Sequence, residues 1–360
     1  DTATYREIKR VPIGKGPHHL IATPDNRFLI VGNTTSNDLV YLDPLTGDIV
    51  KRLPRIADPY QLGFSPDGQW FVTTGNRLDR VDAYRHEKGE LTLAAKFDLP
   101  KVPSHIAFRS DSKRVWVTLQ ESNEVAAIDL AALKVAWVVP TGKQPAGIWP
   151  TPDGKHLLVG ITGEDSVEVL SAHDGKLLQK LKTGAGAHNF LPMGDGKHVF
   201  LSNRVANTIS IIDMATLRVV ESFPVPNGPD DMELRKDGSE LWVTTRWINR
   251  VSVIDMKTKK VKHSIRSGAA RTGSTSPAMR RANNTKFPSP SGRGVGVRAL
   301  QWLMLAVCVA TAPFAAGDIC RGTIYLTFDT GSMRSAEEIA ATLREEHVRA
   351  TFFLANEKTF

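Results

Sequence analysis

Cysteine is almost absent from this sequence, because only Cys308 and Cys320 occur in 360 residues and both lie in the last sixth of the chain. A covalent c-type haem needs the motif C-x-x-C-H, which the sequence lacks, so this cofactor is excluded. The P-loop, the metalloprotease motif H-E-x-x-H and the hydrolase motif G-x-S-x-G are also missing. A long stretch without cysteine is compatible with an oxidising compartment.

Acidic residues are missing between Arg266 and Gly317, where seven basic residues stand. This segment supplies nearly all of the formal net charge of +8, so the preceding part of the chain is close to neutral. That preceding part also has no basic stripe interleaved with aromatic residues, which phosphate binding would require. We therefore expect no nucleic-acid partner. Residues 266–298, rich in Ser, Pro, Gly and Arg, predict a basic disordered linker.

One long apolar run occurs, at residues 299–312, and it is short for a membrane span. It follows Arg298 and leads into small residues that end at Gly317, as in a secretory signal peptide. We therefore expect residues 299–317 to be signal-peptide-like and the protein to be periplasmic or secreted in a bacterium. Because such a signal is unexpected in mid-chain, we interpret the chain as two genes read as one. Residues 266–273 can be encoded by DNA that reads V-G-R-S-P-H-G in another frame, which predicts a frameshift there.

The sequence does contain a repeat of about 42 residues. Each repeat is marked by a turn tripeptide that ends in aspartate, and successive aspartates are 42, 44, 42, 42 and 42 residues apart. The turns are Thr23-Pro24-Asp25, Ser65-Pro66-Asp67, Arg109-Ser110-Asp111, Thr151-Pro152-Asp153, Met193-Gly194-Asp195 and Arg235-Lys236-Asp237. A period of roughly 40 to 45 residues is typical of propeller blades.

The residues between the turns predict four strands in each repeat. A short apolar or β-branched run follows each turn, as at Val115 to Thr118, and predicts a strand. A polar loop rich in Asn or Arg comes next, and then an alternating run that ends in aspartate, as at Thr208 to Asp213. Four short antiparallel strands cannot bury their faces alone, so the repeats stack radially as blades. Residues 1–265 therefore predict one β-propeller.

These repeats resemble the YVTN-type propellers, whose blades follow the pattern P-H-G-I-A-x-S-P-D-G-x-x-x-Y-V-T-N-x-x-S-N-x-V-x-V-I-D. In the second repeat, Tyr60 to Gly68 and Phe71 to Asn76 follow this pattern, and in the fifth Asn203 and Asn207 fall on its asparagines. Members commonly close with seven blades. The resemblance implies an all-β propeller of the seven-bladed type, with six complete four-stranded blades and an incomplete seventh. Because residues 1–4 align with Asp43 to Thr46, we expect the N-terminus to supply the outer strand of that seventh blade.

Candidate binding residues follow from propeller geometry. The loops that enter the first strand of each blade and those between its second and third strands lie on one face, around the central channel. Counting back seven and six positions from each turn aspartate gives His18, His19, Tyr60, Gln61, Ser104, His105, Ala146, Gly147, His188, Asn189, Asp230 and Asp231. The second set of loops adds Asn33, Asn76, Arg77, Gln120, Asn203, Arg204, Arg246 and Trp247.

Several interpretations of this face stay open. Histidines and aspartates that converge on one funnel, with arginines at its rim, would suit a small anionic ligand, a metal or a protein partner. The histidine can equally be the residue typical of the repeat, hydrogen-bonded to neighbouring loops, in which case the propeller is a scaffold. Related folds include haem d1 propeller domains and quinoprotein-type subunits, so electron transfer is a further alternative.

The last part of the chain, residues 318–360, predicts a strand, a helix and a strand, which make a βαβ unit. It resembles the start of the polysaccharide deacetylase (NodB-homology) family, whose motif T-F-D-D-G appears as Thr327-Phe328-Asp329-Thr330-Gly331 and whose next strand, A-T-F-F, is also present. The resemblance implies that Asp329 is a general base and that a complete domain would bind a divalent metal and act on cell-envelope polysaccharide, hydrolysing a C–N bond. Thr330 replaces the metal-binding aspartate, and we expect no deacetylase activity from the sequence as it stands.

Overall fold

The computed structural model describes residues 2, 4–6, 8–266 and 353–354 of the chain. These residues form 26 β-strands and no helix. Twenty-four of the strands form six sheets of four strands each, in which consecutive strands are antiparallel neighbours. We find no helix in this described part that is long and apolar enough to cross a membrane.

Each four-stranded sheet is one blade of a propeller. Blade 1 contains β2 (Pro17–Ala22), β3 (Leu29–Asn33), β4 (Asp38–Leu42) and β5 (Ile49–Pro54); blade 2 contains β6 (Gln61–Phe64), β7 (Trp70–Gly75), β8 (Arg80–Glu87) and β9 (Glu90–Asp98); blade 3 contains β10 (Pro103–Phe108), β11 (Arg114–Leu119), β12 (Glu124–Asp129) and β13 (Lys134–Pro140). Blade 4 contains β14 (Pro145–Pro150), β15 (His156–Ile161), β16 (Ser166–Ser171) and β17 (Leu177–Lys182); blade 5 contains β18 (Ala187–Pro192), β19 (His198–Asn203), β20 (Thr208–Asp213) and β21 (Arg218–Pro224); blade 6 contains β22 (Pro229–Leu234), β23 (Glu240–Thr245), β24 (Arg250–Asp255) and β25 (Lys260–Arg266). The six four-stranded blades predicted from the repeats are confirmed.

The first strands of the blades line the channel. The first strand of each blade contacts the first strand of the next, from β2 and β6 through to β18 and β22. The second and third strands are buried, and the fourth strands are mostly exposed at the outer rim. The apolar runs predicted after each turn fall on the second strands, and the runs predicted to end in aspartate fall on the third strands.

The turn tripeptides form because their side chains hydrogen-bond to the local backbone. In blade 2 the Ser65 hydroxyl donates to the Asp67 carboxylate at 2.5 Å, and the backbone N–H of Gln69 donates to the same carboxylate at 3.0 Å. Gly68 has φ +70°, a left-handed conformation that glycine adopts without strain. Each tripeptide therefore reverses the chain between the first and second strands.

The asparagine of the repeat pattern holds neighbouring blades together. Asn123 ends the loop after the second strand of blade 3 with φ +60°, and its side-chain oxygen accepts a hydrogen bond from the backbone N–H of Gln144 at 2.8 Å. Asn37, Asp79 and Asn207 make the same bond to a backbone N–H about 21 residues further on. One short polar side chain thus fixes the loop that enters the next blade.

The apolar core lies between blades rather than inside one of them. Val72 and Ala83 of blade 2, for example, pack in one cluster with Val115, Val117 and Ile128 of blade 3. Four similar clusters join blade 1 to blade 2, blade 3 to blade 4, blade 4 to blade 5 and blade 5 to blade 6. Each blade therefore depends on its neighbours for burial of its faces.

The N-terminal segment lies between the sixth and the first blade. Tyr5 contacts blade 6, and Val11 and Ile13 join the apolar cluster of blade 1. The sequence predicted a full outer strand here, but only β1 (Val11–Pro12) is a strand, and it pairs in parallel with β26 (Phe353–Leu354). The linker was predicted for residues 266–298, but Arg266 ends β25. The rest of the linker, the signal-peptide-like segment 299–317 and the C-terminal βαβ unit, apart from Phe353–Leu354, lie outside the described residues.

Candidate functional site

The candidate site residues stand at β-bulges in the first strands. In blade 5 the pairing of β18 with β19 shifts between Ala187 and Phe190, which leaves His188 and Asn189 out of the regular ladder. The same shift occurs between Pro229 and Met232 in blade 6, and in blades 1, 3 and 4. A bulge redirects side chains that a regular strand would send to alternate faces. In blades 3 to 6 the two positions counted back from the turn aspartate therefore fall at the bulge. In blade 1 only His18 does, and in blade 2 the first strand pairs regularly from Gln61 to Phe64.

A hydroxyl side chain on the second strand fixes the bulge in blades 3, 5 and 6. The backbone N–H of His105 donates to the Thr118 hydroxyl at 3.0 Å, and that of Asp231 donates to the Thr244 hydroxyl at 2.9 Å. Thr74 and Ser202 make the same contact with Gln61 and Asn189. Sequence reasoning missed these four residues as part of the site, although the threonine of the Y-V-T-N pattern marks their position.

Asp230 is the centre of the charged part of the site. Arg204 donates from Nε to Asp230 Oδ1 at 2.7 Å, and its Nη2 lies 2.5 Å from the same oxygen. Arg246 donates from Nη1 to Asp230 Oδ2 at 3.0 Å. The Nδ1 atom of His188 lies 3.1 Å from Asp230 Oδ1. Side chains from blades 5 and 6 thus converge on one buried carboxylate.

Four further residues extend this group around the channel. The Ser104 hydroxyl lies 3.1 Å from His105 Nδ1, and the His105 ring stands edge-on to the His188 ring with 5.1 Å between centroids. The His18 ring stacks on Tyr60 with 3.6 Å between centroids, and its Nδ1 lies 2.7 Å from the Tyr60 carbonyl oxygen. We call the following set the channel cluster: His18, Tyr60, Ser104, His105, His188, Arg204, Asp230 and Arg246.

Burial sets the charges of the channel cluster. It lowers the pKa of His18 to about 3, although the Tyr60 carbonyl and the Asp230 carboxylate act in the opposite direction. Burial and the nearby Arg204 lower the pKa of His188 to about 3, and burial lowers the pKa of His105 as well. All three imidazoles are therefore neutral at pH 7.

The charged members of the cluster keep their charges. Burial opposes ionisation of Asp230, but Arg204, His188 and Arg246 hold the pKa of its carboxyl well below the usual range. Burial lowers the pKa of Arg204 to about 9, against the attraction of Asp230, so its guanidinium is still protonated at pH 7. At neutral pH two guanidinium groups therefore share the Asp230 carboxylate in a buried setting.

Other predicted residues serve contacts between blades. His19 accepts a hydrogen bond from the backbone N–H of Leu62 at 2.9 Å, which joins blade 1 to blade 2. Asn189 donates to the Asp231 carboxylate of the next blade. His19, Asn189 and Asp231 therefore hydrogen-bond to neighbouring blades, as the scaffold interpretation describes. Asn33 and Asn203, predicted at the funnel, are buried and hydrogen-bond within their own blades instead.

Arg77 and Trp247 lie on the same face but outside the channel cluster. Arg77 pairs with buried Asp58 at 2.9 Å and also donates to the Thr34 carbonyl. Sequence reasoning missed Asp58, because no repeat position marks it. The Trp247 side chain is 42% exposed, and its ring centroid lies 5.8 Å from the guanidinium carbon of Arg246. Asp329 lies outside the described residues.

The part of the chain that the structure describes contains no group of three or more His, Cys, Asp or Glu side chains placed to hold a metal ion. The histidines of the channel cluster instead contact an aromatic ring, another histidine or a carboxylate that two arginines already share. Chemically, the cluster offers guanidinium, imidazole and hydroxyl groups as hydrogen-bond donors.

Two family models match the chain. A model described as a YNCE-like beta-propeller matches residues 1–277, and a model described as polysaccharide deacetylase matches residues 316–359. Both resemblances predicted from the sequence are thereby confirmed. The first match covers all six blades, and the second covers the segment that contains Asp329.

The individual proteins that match this chain have low sequence identity to it. The 6-phosphogluconolactonase of Bacillus subtilis is 25% identical over 188 residues, which cover 44% of this chain and 54% of that protein. The chain thus spans about half the length of the curated relatives it matches. Among solved structures, hydrazine synthase of Kuenenia stuttgartiensis has a TM-score of 0.59 at 18% identity, covering 70% of this chain and 87% of that one. A dihydro-haem d1 dehydrogenase in complex with DHE has a TM-score of 0.52 at 17% identity, covering 69% of this chain and 57% of that one. At these identities the solved structures indicate the fold alone.

Proposed function

The chain belongs to the YNCE-like beta-propeller family, and on this premise we propose that its propeller is a binding module that takes a small anionic ligand at the channel cluster. The observation that carries the proposal is the sharing of one buried carboxylate, that of Asp230, by the guanidinium groups of Arg204 and Arg246. A guanidinium group can donate two parallel N–H hydrogen bonds to the oxygens of one carboxylate or phosphate group. These bonds are stronger where water is excluded.

The surroundings of the arginines support an anion rather than a cation. The three cluster histidines are neutral at pH 7 because burial lowers their pKa values, so they add donors without adding charge. Tyr60 and Ser104 add hydroxyl groups, and burial raises the pKa of Tyr60 well above its usual range, which keeps it protonated. A carboxylate or phosphate group would therefore meet donors on several sides.

The test is thermal unfolding of the full chain at pH 7 in phosphate, sulfate or chloride of equal ionic strength. Phosphate at about 100 times its dissociation constant adds roughly 2.7 kcal/mol to the free energy of unfolding and raises Tm by a few degrees. Arg246→Gln should lose most of this increase. Arg109→Gln, which removes an arginine paired with exposed Asp111 in a turn, should retain it. Equal Tm values in all three salts would contradict the proposal.

We also propose that the propeller is of the seven-bladed type and works outside the cytoplasm, in the periplasm or as a secreted protein. The blade number rests on the N-terminal segment, which lies between blades 6 and 1 where a seventh blade would stand. The location rests on the signal-peptide-like pattern of residues 299–317. Cell fractionation of the native host, with a cytoplasmic marker enzyme as control, tests the location, and recovery with that marker would contradict it.

A second candidate function is electron transfer through a bound tetrapyrrole such as haem d1. The favouring observation is that His18, His105 and His188 are neutral, which is the form that coordinates iron. The propionates or acetates of such a ring would meet the two arginines. Visible absorbance of the protein after incubation with haem d1 tests this candidate, and a protein that remains colourless contradicts it.

For residues 316–359 we propose the chemistry of the matched family, deacetylation of a polysaccharide by hydrolysis of a C–N bond. By resemblance Asp329 is the general base, and a divalent metal belongs to the same site. Thr330 stands where the family has a metal-binding aspartate, and a hydroxyl is a weak ligand for a divalent cation. Zn²⁺ binding, measured by calorimetric titration, should therefore be tighter in Thr330→Asp than in the unchanged chain. Equal affinity of the two chains would contradict this proposal.

A further inference from the structure

Trp247 is a large aromatic side chain that is fixed in place and yet exposed. Its indole lies against Gly228, where an added Cβ would come 2.3 Å from Nε1, so only glycine leaves room for the ring. Gly228 also has φ +69°, which favours glycine again. The backbone N–H groups of Arg246 and Trp247 donate to the carbonyls of Gly228 and Asn227 at 2.9 and 3.1 Å. The loop therefore holds the indole on the funnel face with 42% of the side chain exposed.

The indole is joined to the channel cluster through Arg246. The guanidinium carbon of Arg246 lies 5.8 Å from the Trp247 ring centroid, within the range of a cation–π contact. The same guanidinium reaches Asp230 with its Nη1. An anionic group placed against Arg246 would therefore have the rest of its molecule beside the indole.

Apolar surface on this part of the face is greatest on blades 5 and 6, and blade 2 adds the single exposed residue Leu78. In blades 5 and 6 the loops between second and third strands carry exposed Val205, Trp247 and Ile248, each at least 40% exposed. At the positions equivalent to Val205 and Trp247, blades 1, 3 and 4 have Thr35, Glu121 and Gly163. The two loops that expose these apolar side chains are also the loops that supply Arg204 and Arg246. Charge and apolar surface therefore lie side by side at one sector of the funnel.

We propose that Trp247 forms an apolar subsite beside the arginine pair, so that the ligand is an anion carrying a flat aromatic group, such as an aryl phosphate or an aromatic carboxylate. This inference rests on the proposed anion binding at the channel cluster and adds the class of ligand to it. The anionic group lies against Arg204 and Arg246, and the aromatic group stacks on or against the exposed indole.

The test compares phenyl phosphate with methyl phosphate, which carry the same anionic group but differ in the aromatic ring. Calorimetric titration of the full wild-type chain should give phenyl phosphate roughly tenfold tighter binding, the size expected for one aromatic stacking contact. In Trp247→Ala this difference should disappear, because both phosphates then meet the arginine pair alone. Trp247→Phe should keep most of the difference, which also guards against misfolding of the alanine variant.

Leu78→Ala is the matched control, because Leu78 is an exposed apolar residue on the corresponding loop of blade 2, next to an arginine outside the cluster. It should leave both affinities unchanged. If methyl and phenyl phosphate bind wild type equally well, the aromatic subsite is wrong and the anion site stands. If neither phosphate binds, the anion site itself fails and the subsite fails with it.

Discussion

At the scale of single residues, Asp230 determines the electrostatics of the channel cluster. It is the carboxylate that Arg204 and Arg246 share, and its side chain is 3% exposed. We predict that Asp230→Asn lowers the free energy of unfolding by about 3 kcal/mol, because two buried guanidinium groups lose the charge that compensates them. Chemical denaturation at pH 7 in chloride measures this loss. Asp111→Asn, which breaks an exposed pair with Arg109, should change stability by less than about 0.5 kcal/mol.

The same variant gives a second readout that depends on binding. A phosphate ion can stand in for the missing carboxylate, so phosphate should raise the Tm of Asp230→Asn by more than it raises the Tm of wild type. If phosphate raises the Tm of neither chain, the arginines serve only to compensate Asp230. The two measurements together separate a structural ion pair from a site that accepts anions.

Glu233 is a buried acid that the channel cluster does not use. It lies on β22, its Oε2 has no hydrogen-bond partner among the residues that the structure describes, and burial raises its pKa to about 9. The equivalent positions of the other five blades carry Ile21, Gly63, Ala107, Trp149 and Leu191. The acid therefore stands where the repeat otherwise has an apolar residue or glycine, and its neutral form is the one that the fold accommodates.

This raised pKa predicts a pH dependence with a definite sign. The folded state holds the Glu233 proton between the unfolded pKa of about 4.5 and the folded pKa of about 9, so stability falls as pH rises through that window. Glu233→Gln is neutral throughout and should match wild type at pH 4 but exceed it at pH 8, by on the order of 3 kcal/mol. Denaturation at both pH values measures the difference. Glu240→Gln is the contrasting variant, because Lys262 and Tyr5 lower the pKa of Glu240 against burial, so it should lose stability at pH 8.

At the scale of strands and loops, the sequence predicted the blades well because each blade depends on local chemistry. The predicted strand Thr208–Asp213 is observed with the same bounds, since a loop residue with positive φ, Asn207, precedes it and an aspartate that accepts two backbone hydrogen bonds ends it. The N-terminal outer strand was predicted less well. No partner strand is close to it in sequence, so its conformation depends on contacts with blade 6, which is distant in sequence.

The candidate site was predictable in position but not in its contacts. Counting back from the turn aspartates located His188 and Asp230, because blades 5 and 6 place them at the same position of the same bulge. Arg204 and Arg246 form ion pairs with Asp230, whereas Arg77 forms one with Asp58. The sequence did not distinguish these arginines. Their partners depend on distances between loops that no repeat pattern encodes.

The loop asparagines give a prediction at this scale. Asn123 combines φ +60° with a hydrogen bond from the Gln144 N–H. Asn123→Gly keeps the left-handed backbone and loses the hydrogen bond, which should cost about 1 kcal/mol. Asn123→Ala loses the bond and also strains the backbone, which should add roughly 1 kcal/mol more. Urea denaturation of the pair separates the two effects, and equal stability of the two variants would show that the left-handed conformation carries no strain.

At the scale of the whole molecule, the N-terminal segment connects the two ends of the row of blades. Tyr5 donates to Glu240 Oε1 at 2.9 Å, stacks on Trp242 and packs in a tilted arrangement against His263, all in blade 6. A few residues later, Val11 and Ile13 are buried in the core of blade 1. The first and the sixth blade, which are more than 200 residues apart in sequence, are thereby held to the same short segment.

If this connection closes the ring, then weakening Tyr5 should loosen blade 6 rather than the N-terminus alone. We predict that Tyr5→Ala lowers the free energy of unfolding by about 2 kcal/mol, and that Tyr5→Phe, which loses only the hydrogen bond to Glu240, lowers it by about 1 kcal/mol. Lys9→Ala, which removes an exposed ion pair with Asp48, should have an effect below about 0.5 kcal/mol. Hydrogen exchange of β23 and β24 locates the effect, since their amides should exchange faster in Tyr5→Ala if Tyr5 closes the ring. Unchanged exchange in these strands, with faster exchange confined to residues 4–12, would mean that the six blades hold together without this contact.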